Sequence, residues 1–239
     1  MKVLVIIPAY NEEDSIEFVI SKLKKYKNDW KFDLDYIIVN DCSTDKTEDI
    51  CRKNNFNYIS LPVNLGIGGG VQTGYKYAVE NHYDVAIQMD GDGQHDPKYI
   101  KDLVEEIVTN KVDMVIGSRF ITNKGFQSSK MRRFGINFLK HLIRFCCGKS
   151  INDTTSGFRA TSKPLTTLFS QCYAQDYPEP EAIITAVLNG FKIKEIPVIM
   201  YERSGGESSI KVMQTVYYMI KVSLAIIIYR MGFKKGVKR

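Results

Sequence analysis

The chain has 239 residues, 44% of them hydrophobic, which is enough for one sizeable core. Lys and Arg number 33 against 27 Asp and Glu, and four of the cations (Lys234, Lys235, Lys238 and Arg239) close the chain with no acid among them, which points to an anionic surface or a membrane rather than to nucleic acid. The five cysteines form no C-x-x-C pair and have few histidines beside them, which argues against a structural zinc site and a secreted disulfide scaffold.

Val3–Ile7 reads as a first strand. It is apolar throughout rather than alternating, as in a parallel sheet covered on both faces. It is too short for a leader and ends at Pro8. Ile16, Val19, Ile20 and Leu23 then recur at helical spacing, with acids before them and Lys22, Lys24 and Lys25 after. Tyr36–Asn40 is the second strand. Asp45 and Glu48 fit a helix cap and its partner three residues on. Asp41 stands earlier, at the strand end, where an acid can meet a ribose or a base edge. Tyr58–Leu61 is a short third strand. Gly66 and Gly68–Gly70 open the next helix and match neither complete glycine-rich phosphate motif. They suit an anion cradle or close helix packing.

Tyr83–Pro97 is the organising stretch. Val85–Met89 reads as a buried strand that ends in Asp90 and Asp92, one residue apart among glycines. Ligands bind at strand ends in open α/β sheets. Two carboxylates there suit a hard divalent cation, Mg²⁺ or Mn²⁺, that also holds phosphate oxygens. Asp96, before Pro97, is taken by capping the following helix. Val112–Gly117 is a further strand that delivers Ser118 and Arg119 to the same edge.

Met131–Phe145 reads as an amphipathic helix with Arg132, Arg133, Lys140 and Arg144 on its basic face, suited to anionic headgroups, a phosphorylated substrate or plain solvent. Asn152–Arg159 packs an acid, three hydroxyls, a glycine and an arginine into eight residues, either a ligand loop or a well-capped turn. Pro178 and Pro180 stiffen the backbone around Glu179 and Glu181, either to support a carboxylate or to start a helix. Phe191–Met200 resembles an edge strand, with Pro197 at its end. Val212–Met231 is strongly apolar but carries Lys221 near its middle. That fits an interfacial or re-entrant helix better than a clean span, with burial at a homo-oligomer interface as the competing reading.

Taken together, Ile7–Glu12, Val39–Asp45, Asn64–Gly66, Asp90-Gly-Asp92 with Gln94 and Asp96, Gly117–Arg119, Thr155–Arg159, and Arg203 with Gly206–Ser209 resemble the inverting glycosyltransferases of family 2. Within them, the chain is similar to dolichyl-phosphate mannose synthases and bacterial polyprenyl-phosphate glycosyltransferases. The resemblance implies an α/β nucleotide-diphospho-sugar transferase (GT-A) fold over residues 1–211. Residues 212–239 would then be a membrane-associated apolar helix and basic tail, at the cytoplasmic face of a membrane. It further implies metal-dependent, inverting transfer of a sugar from a nucleotide-diphospho-sugar donor to a lipid phosphate.

By the same resemblance, Pro8, Tyr10, Glu12 and Asp41 hold the nucleoside. Asp90 and Asp92, with Gln94, hold the Mg²⁺ or Mn²⁺. Arg119 and Arg133 meet the acceptor phosphate, Arg203 closes the site, and Ser156, Gly157 and Arg159 line the acceptor side. A phosphate acceptor is already anionic and needs no strong base. A hydroxyl acceptor, in cell-envelope, capsule or lipopolysaccharide synthesis, needs one, and Glu179 or Glu181 are the candidates, with Asp153 behind them. Asn40 stands where the family often has an acid, and Pro178–Glu181 departs from the mannose synthases. The single apolar C-terminal segment leaves room for a small membrane partner protein. A nucleotidyltransferase is disfavoured, because Pro8–Glu13 contains no lysine or arginine.

Overall fold

The computed structural model describes residues 1–26, 30–122, 124–127, 130–202 and 212–233. The expectations placed on Arg203, on Gly206–Ser209 and on the tail from Lys234 to Arg239 lie outside the described residues.

In chain order the elements are β1 (Lys2–Ala9), α1 (Ile16–Tyr26), β2 (Asp33–Asn40), α2 (Thr47–Lys53), β3 (Tyr58–Ser60), α3 (Gly66–Glu80), β4 (Val85–Gln88), α4 (Ile100–Asn110), β5 (Met114–Ser118), α5 (Lys130–Cys147), β6 (Arg159–Ser162), α6 (Lys163–Gln171), α7 (Pro178–Leu188), β7 (Ile193–Pro197) and α8 (Val212–Gly232). The strands form one sheet in the order β3-β2-β1-β4-β6-β5-β7. Every pairing is parallel except those of β6, which runs antiparallel to both β4 and β5. This is the mostly parallel α/β sheet expected of a GT-A fold.

The continuous apolar run of β1 is explained by its central place. Val3, Val5 and Ile7 enter the core beneath α1 and α4. Leu4 and Ile6 enter the core shared with α3, α6 and α7. Burial of each such side chain stabilises the fold by about 1.5–3 kcal/mol. The chain leaves β1 toward β2 on one side and returns to β4 on the other. The switch point therefore lies at the C-terminal ends of β1 and β4, the crevice where such sheets bind ligands.

Two local expectations changed, and the structure decides between the two readings of the α3 glycines. Asp45 and Glu48 do not form a capping pair: Asp45 accepts from the Thr47 N–H and hydroxyl, while Glu48 pairs with Arg52 and Asn40. A strand, β6, begins at Arg159, the last residue of the polar stretch Asn152–Arg159; its sequence Arg-Ala-Thr-Ser carries no apolar run that would announce it. The glycines of α3 serve packing: a Cβ on Gly68 would sit 2.0 Å from the Ala174 carbonyl, and the Gly68 N–H donates to the Gln175 carbonyl. β7 lies at the sheet edge, as its Pro197 predicts.

α8 has two apolar faces. Val222 and Ile226 are fully buried, Tyr218 packs edge-on against Tyr177 at 4.5 Å, and Lys221 pairs with Asp176. On its other side Tyr217, Ile220, Leu224, Ile228 and Met231 are exposed. Among the described residues, no helix is long and apolar enough to cross a membrane.

Candidate active site

Asp90 and Asp92 follow β4 at the switch point. Asp92 is buried, and its Oδ1 accepts from the Gln94 N–H at 3.0 Å. Asp90 keeps about a third of its side chain open, 32%. Its backbone N–H donates to His95 Nδ1 at 3.0 Å, a bond that assigns the ring proton to Nε2. That Nε2 lies 3.8 Å from Asp90 Oδ2, and the ring stacks on Phe158 with centroids 4.9 Å apart. Gln88 Nε2 reaches Asp90 Oδ1 at 3.4 Å. The two carboxylates offer oxygen donors of the kind that hold a divalent cation shared with a diphosphate. Gln94 has a second task. Its side-chain amide donates to the Tyr201 carbonyl at 3.2 Å, and its own carbonyl accepts from the Tyr201 N–H at 3.0 Å, so the segment that leads to Arg203 is tied to the carboxylate loop.

The expected nucleoside residues gather at the same edge. Pro8 is buried at the end of β1, and Tyr10 is exposed. Gly91 approaches the Pro8 carbonyl and the Glu12 side chain, which brings the β1 end against the carboxylate loop. Glu12 accepts from the Ser15 hydroxyl at 2.5 Å, and its N–H donates to Thr47 Oγ1. Asp41 is buried; its Oδ1 accepts from the Leu65 N–H at 2.7 Å, and its own N–H bonds the Ala9 carbonyl. Asn40, in place of an acid, is bonded to Ser60 and Ser43.

On the other side of Asp90, the segment from Asn152 to Gly157 connects two places. Its far end is Gly157: a Cβ there would lie 2.8 Å from both Asp90 carboxylate oxygens. Its near end, Asn152, lines a cavity of about 170 Å³ together with Phe120, Arg133, Ile136, Asn137 and Lys140. Lys140 Nζ donates to Asn152 Oδ1 at 2.6 Å, and the Arg133 guanidinium lies over the Phe120 ring at 5.7 Å. The lining holds two cations and no acid. Between the two ends, Arg119 is buried in a pair with Asp153 and donates to Thr155.

Ser156 and Arg159, expected on the acceptor side, are turned inward. The Ser156 hydroxyl donates to the Gly117 carbonyl at 2.7 Å. Arg159 is fully buried and donates to the Ser156 and Glu179 carbonyls. These side chains complete a turn rather than face solvent, because the backbone carbonyls of a buried turn need donors. The two candidate bases part company. Glu179 lies among Arg159, Gln88 and Asp90, with its pKa raised chiefly by desolvation. Glu181 lies among Lys221 and Asp176 under α8, its pKa also raised chiefly by desolvation. Only Glu179 is therefore brought to the carboxylate pair. Gln88 and His95 escaped sequence reasoning. The signal for Gln88 was a lone polar side chain in the apolar run of β4.

The model of glycosyl transferase family 2 matches residues 4–169. The chain belongs to that family. It is a glycosyltransferase of family 2, and the switch-point carboxylates sit within the matched region. The UDP-N-acetylglucosamine–dolichyl-phosphate N-acetylglucosaminyltransferase of Methanococcus voltae is 32% identical over 219 residues, covering 82% of this chain and 84% of the relative. The undecaprenyl-phosphate mannosyltransferase of Micrococcus luteus is 30% identical over 218 residues, covering 87% of each. Among solved structures, the glucosyl-3-phosphoglycerate synthase of Mycobacterium tuberculosis, crystallised with Mn²⁺, UDP and phosphoglyceric acid, superposes with a TM-score of 0.72 at 20% identity, covering 98% of this chain and 80% of that one. This last likeness concerns the fold alone.

Proposed function

We propose that this family 2 glycosyltransferase moves a sugar from a nucleotide-diphospho-sugar to a polyprenyl phosphate at a membrane surface, with inversion at the anomeric carbon. The observation that carries the reading is the cationic cavity of Arg133 and Lys140, joined to Asp90 by the short segment from Asn152 to Gly157. An anionic acceptor would enter a site lined by cations, at the other end of a short segment from carboxylates suited to a donor diphosphate. The relatives that act on dolichyl and undecaprenyl phosphate support the same acceptor class.

Asp90 and Asp92 would hold Mg²⁺ or Mn²⁺, with Gln94 beside them and the remaining ligands drawn from the diphosphate and water. The cation would neutralise the leaving nucleotide. Pro8, Tyr10, Glu12 and Asp41 would hold the nucleoside, and Arg203 would add a positive charge at the leaving group. A phosphate acceptor carries its own negative charge, so no side chain need remove a proton. Arg119, with two of its nitrogens already on Asp153, would position the acceptor side rather than bind the phosphate through those nitrogens.

α5, which lines the cavity, and α8 would supply the membrane contact. α5 exposes Met131, Phe134, Phe138 and Phe145, and α8 exposes Tyr217, Ile220, Leu224, Ile228 and Met231. Neither helix contains an acid, and together they carry seven Lys and Arg residues. Exposed apolar side chains on helices whose own charged residues are all cations fit an anionic bilayer surface. Residues 212–239 would thus lie on the cytoplasmic face of the membrane; a small membrane partner protein or a second copy of the chain is the other occupant to test for.

A second reading rests on Glu179. A carboxyl of raised pKa near Asp90 is suited to deprotonate a hydroxyl acceptor. The deciding experiment supplies the purified chain with Mn²⁺ or Mg²⁺, a panel of UDP-, GDP- and dTDP-sugars, and vesicles with or without undecaprenyl or dolichyl phosphate. A glycolipid formed by the wild type and absent with Asp92→Asn supports the phosphate acceptor. Metal-dependent donor breakdown with no lipid product, abolished by Glu179→Gln, supports the hydroxyl acceptor instead.

A further inference from the structure

We infer that Gln88 is the positioning residue for the donor-site carboxylate Asp90, one amide that links Asp90 to Tyr173 and holds Asp90 over the backbone of Gly157. The inference rests on the carboxylate-pair reading above and concerns what sets the geometry of that pair.

Gln88 is fully buried at the last position of β4. Its Oε1 accepts from the Tyr173 hydroxyl at 3.5 Å, and its Nε2 donates to Asp90 Oδ1 at 3.4 Å. The Glu179 carboxyl lies near the same amide. A carboxylate oxygen accepts and the tyrosine hydroxyl donates, so the amide has one workable orientation: NH₂ toward Asp90 and oxygen toward the tyrosine. The amide donor then faces Asp90, and the Tyr173 hydroxyl fixes the other end of the side chain. Glu179 is held in turn, since the Arg159 Nη1 donates to its backbone carbonyl at 3.1 Å. Arg159 is itself the cross-strand partner of Gln88 between β6 and β4. The antiparallel insertion of β6 thereby sets the pair.

Gly157 closes the arrangement from a different direction. A Cβ at this position would lie 2.8 Å from both Asp90 oxygens and 3.0 Å from Gln88 Nε2. The carboxylate therefore rests on bare backbone, and any side chain would push it away. His95 braces the same residue through the Asp90 N–H. A carboxylate confined in this way needs little reorganisation when a cation arrives, and partners of metal ligands commonly change metal affinity by about 10–100-fold.

Two variants approach Asp90 by separate routes. Gln88→Met keeps the volume and removes the donor; Gly157→Ala keeps the donor and displaces the carboxylate. Mn²⁺ binding in the presence of UDP is read by electron paramagnetic resonance, UDP binding in EDTA by calorimetry, and folding by thermal melting. The expected result for each folded variant is Mn²⁺ affinity reduced by about tenfold or more, with metal-free UDP affinity within about twofold of wild type. Mn²⁺ affinity within about twofold of wild type in both variants would overturn the inference, and so would an equal loss of metal-free UDP binding, which marks general collapse of the site. Should the wild type bind no Mn²⁺ with UDP, GDP or dTDP, the carboxylate-pair reading itself falls, an outcome separate from failure of the variants.

Discussion

Arg119 and Asp153 meet as a two-point pair, Nε 2.7 Å from Oδ2 and Nη2 2.6 Å from Oδ1, and Oδ2 also accepts the Arg119 backbone N–H at 3.1 Å. The Asp153 side chain is fully enclosed, and Glu195 holds the backbone N–H groups of Asn152 and Asp153 at 2.8 Å. The pair ties the end of β5 to the segment that runs between the cavity and Asp90. Removing one partner of a buried pair leaves the other charge uncompensated, which costs roughly 3–5 kcal/mol. Asp153→Asn should therefore lower unfolding free energy by about that amount in urea titrations. A loss below about 1 kcal/mol would mean that the guanidinium finds water or another acceptor.

Arg133 and Lys140 should act on the acceptor alone. Arg133→Ala and Lys140→Ala are each expected to raise the KM for polyprenyl phosphate by about tenfold, the scale of one charge-assisted hydrogen bond. Binding of Mn²⁺ with UDP should stay unchanged. Steady-state kinetics with varied lipid, set beside Mn²⁺ binding, checks both halves. An equal effect on donor binding would take the cavity out of the acceptor path.

The two faces of α8 predict opposite outcomes. Ile226→Ala empties a fully buried position and should cost about 2–5 kcal/mol of stability. Ile228→Ala, on the exposed face, should change stability by less than about 0.5 kcal/mol. Charge on the exposed stripe should matter to lipid instead. Leu224→Asp and Phe134→Asp are expected to reduce sedimentation with anionic vesicles while leaving the melting temperature close to wild type. Retained vesicle binding by the double variant would leave the stripe to a protein partner.

Glu181 makes stability depend on pH in a stated direction. Desolvation beneath α8 is the main cause that raises its pKa above 4.5, with Lys221 opposing it and Asp176 adding to it. The folded state therefore holds this proton where the unfolded chain has released it. Stability contributed by the group is present below the unfolded pKa and falls as pH rises through the raised, folded value. Glu181→Gln should flatten the decline of melting temperature above pH 4.5 relative to wild type. Parallel curves for the two proteins would contradict the assignment.

Asp92→Asn should reduce sugar transfer by about a hundredfold or more, the scale on which loss of transition-state charge stabilisation is felt. Product formation at saturating Mn²⁺ or Mg²⁺ is the measurement. Activity near wild type would transfer the metal role to other residues.

Much of the sheet was legible in the chain itself. β1, β2, β4 and β5 announce themselves as short apolar runs because both faces of a parallel sheet are covered, and Asp90 and Asp92 stand out as acids that no helix cap uses. β6 was not legible. Its four residues, Arg-Ala-Thr-Ser, are held by pairing with β4 and β5 on either side, so burial comes from the neighbours and not from an apolar pattern. The same holds for Ser156 and Arg159, whose side chains look like ligand groups by residue type but satisfy buried carbonyls in the fold.

What the sequence by itself determined is chemistry carried by residue type and short spacing: a paired carboxylate after a buried strand, a basic amphipathic helix, and an apolar C-terminal helix interrupted by Lys221. What only the tertiary structure decided is which distant groups share one place. Gln88, Gly157 and Glu179 converge on Asp90, Glu181 turns away to α8, and Arg133 and Lys140 open a cavity at the other end of the 152–157 segment. The reason is physical. Periodicity reports whether a side chain is buried, while the identity of its partner depends on strand order and on an antiparallel insertion that local propensity does not encode.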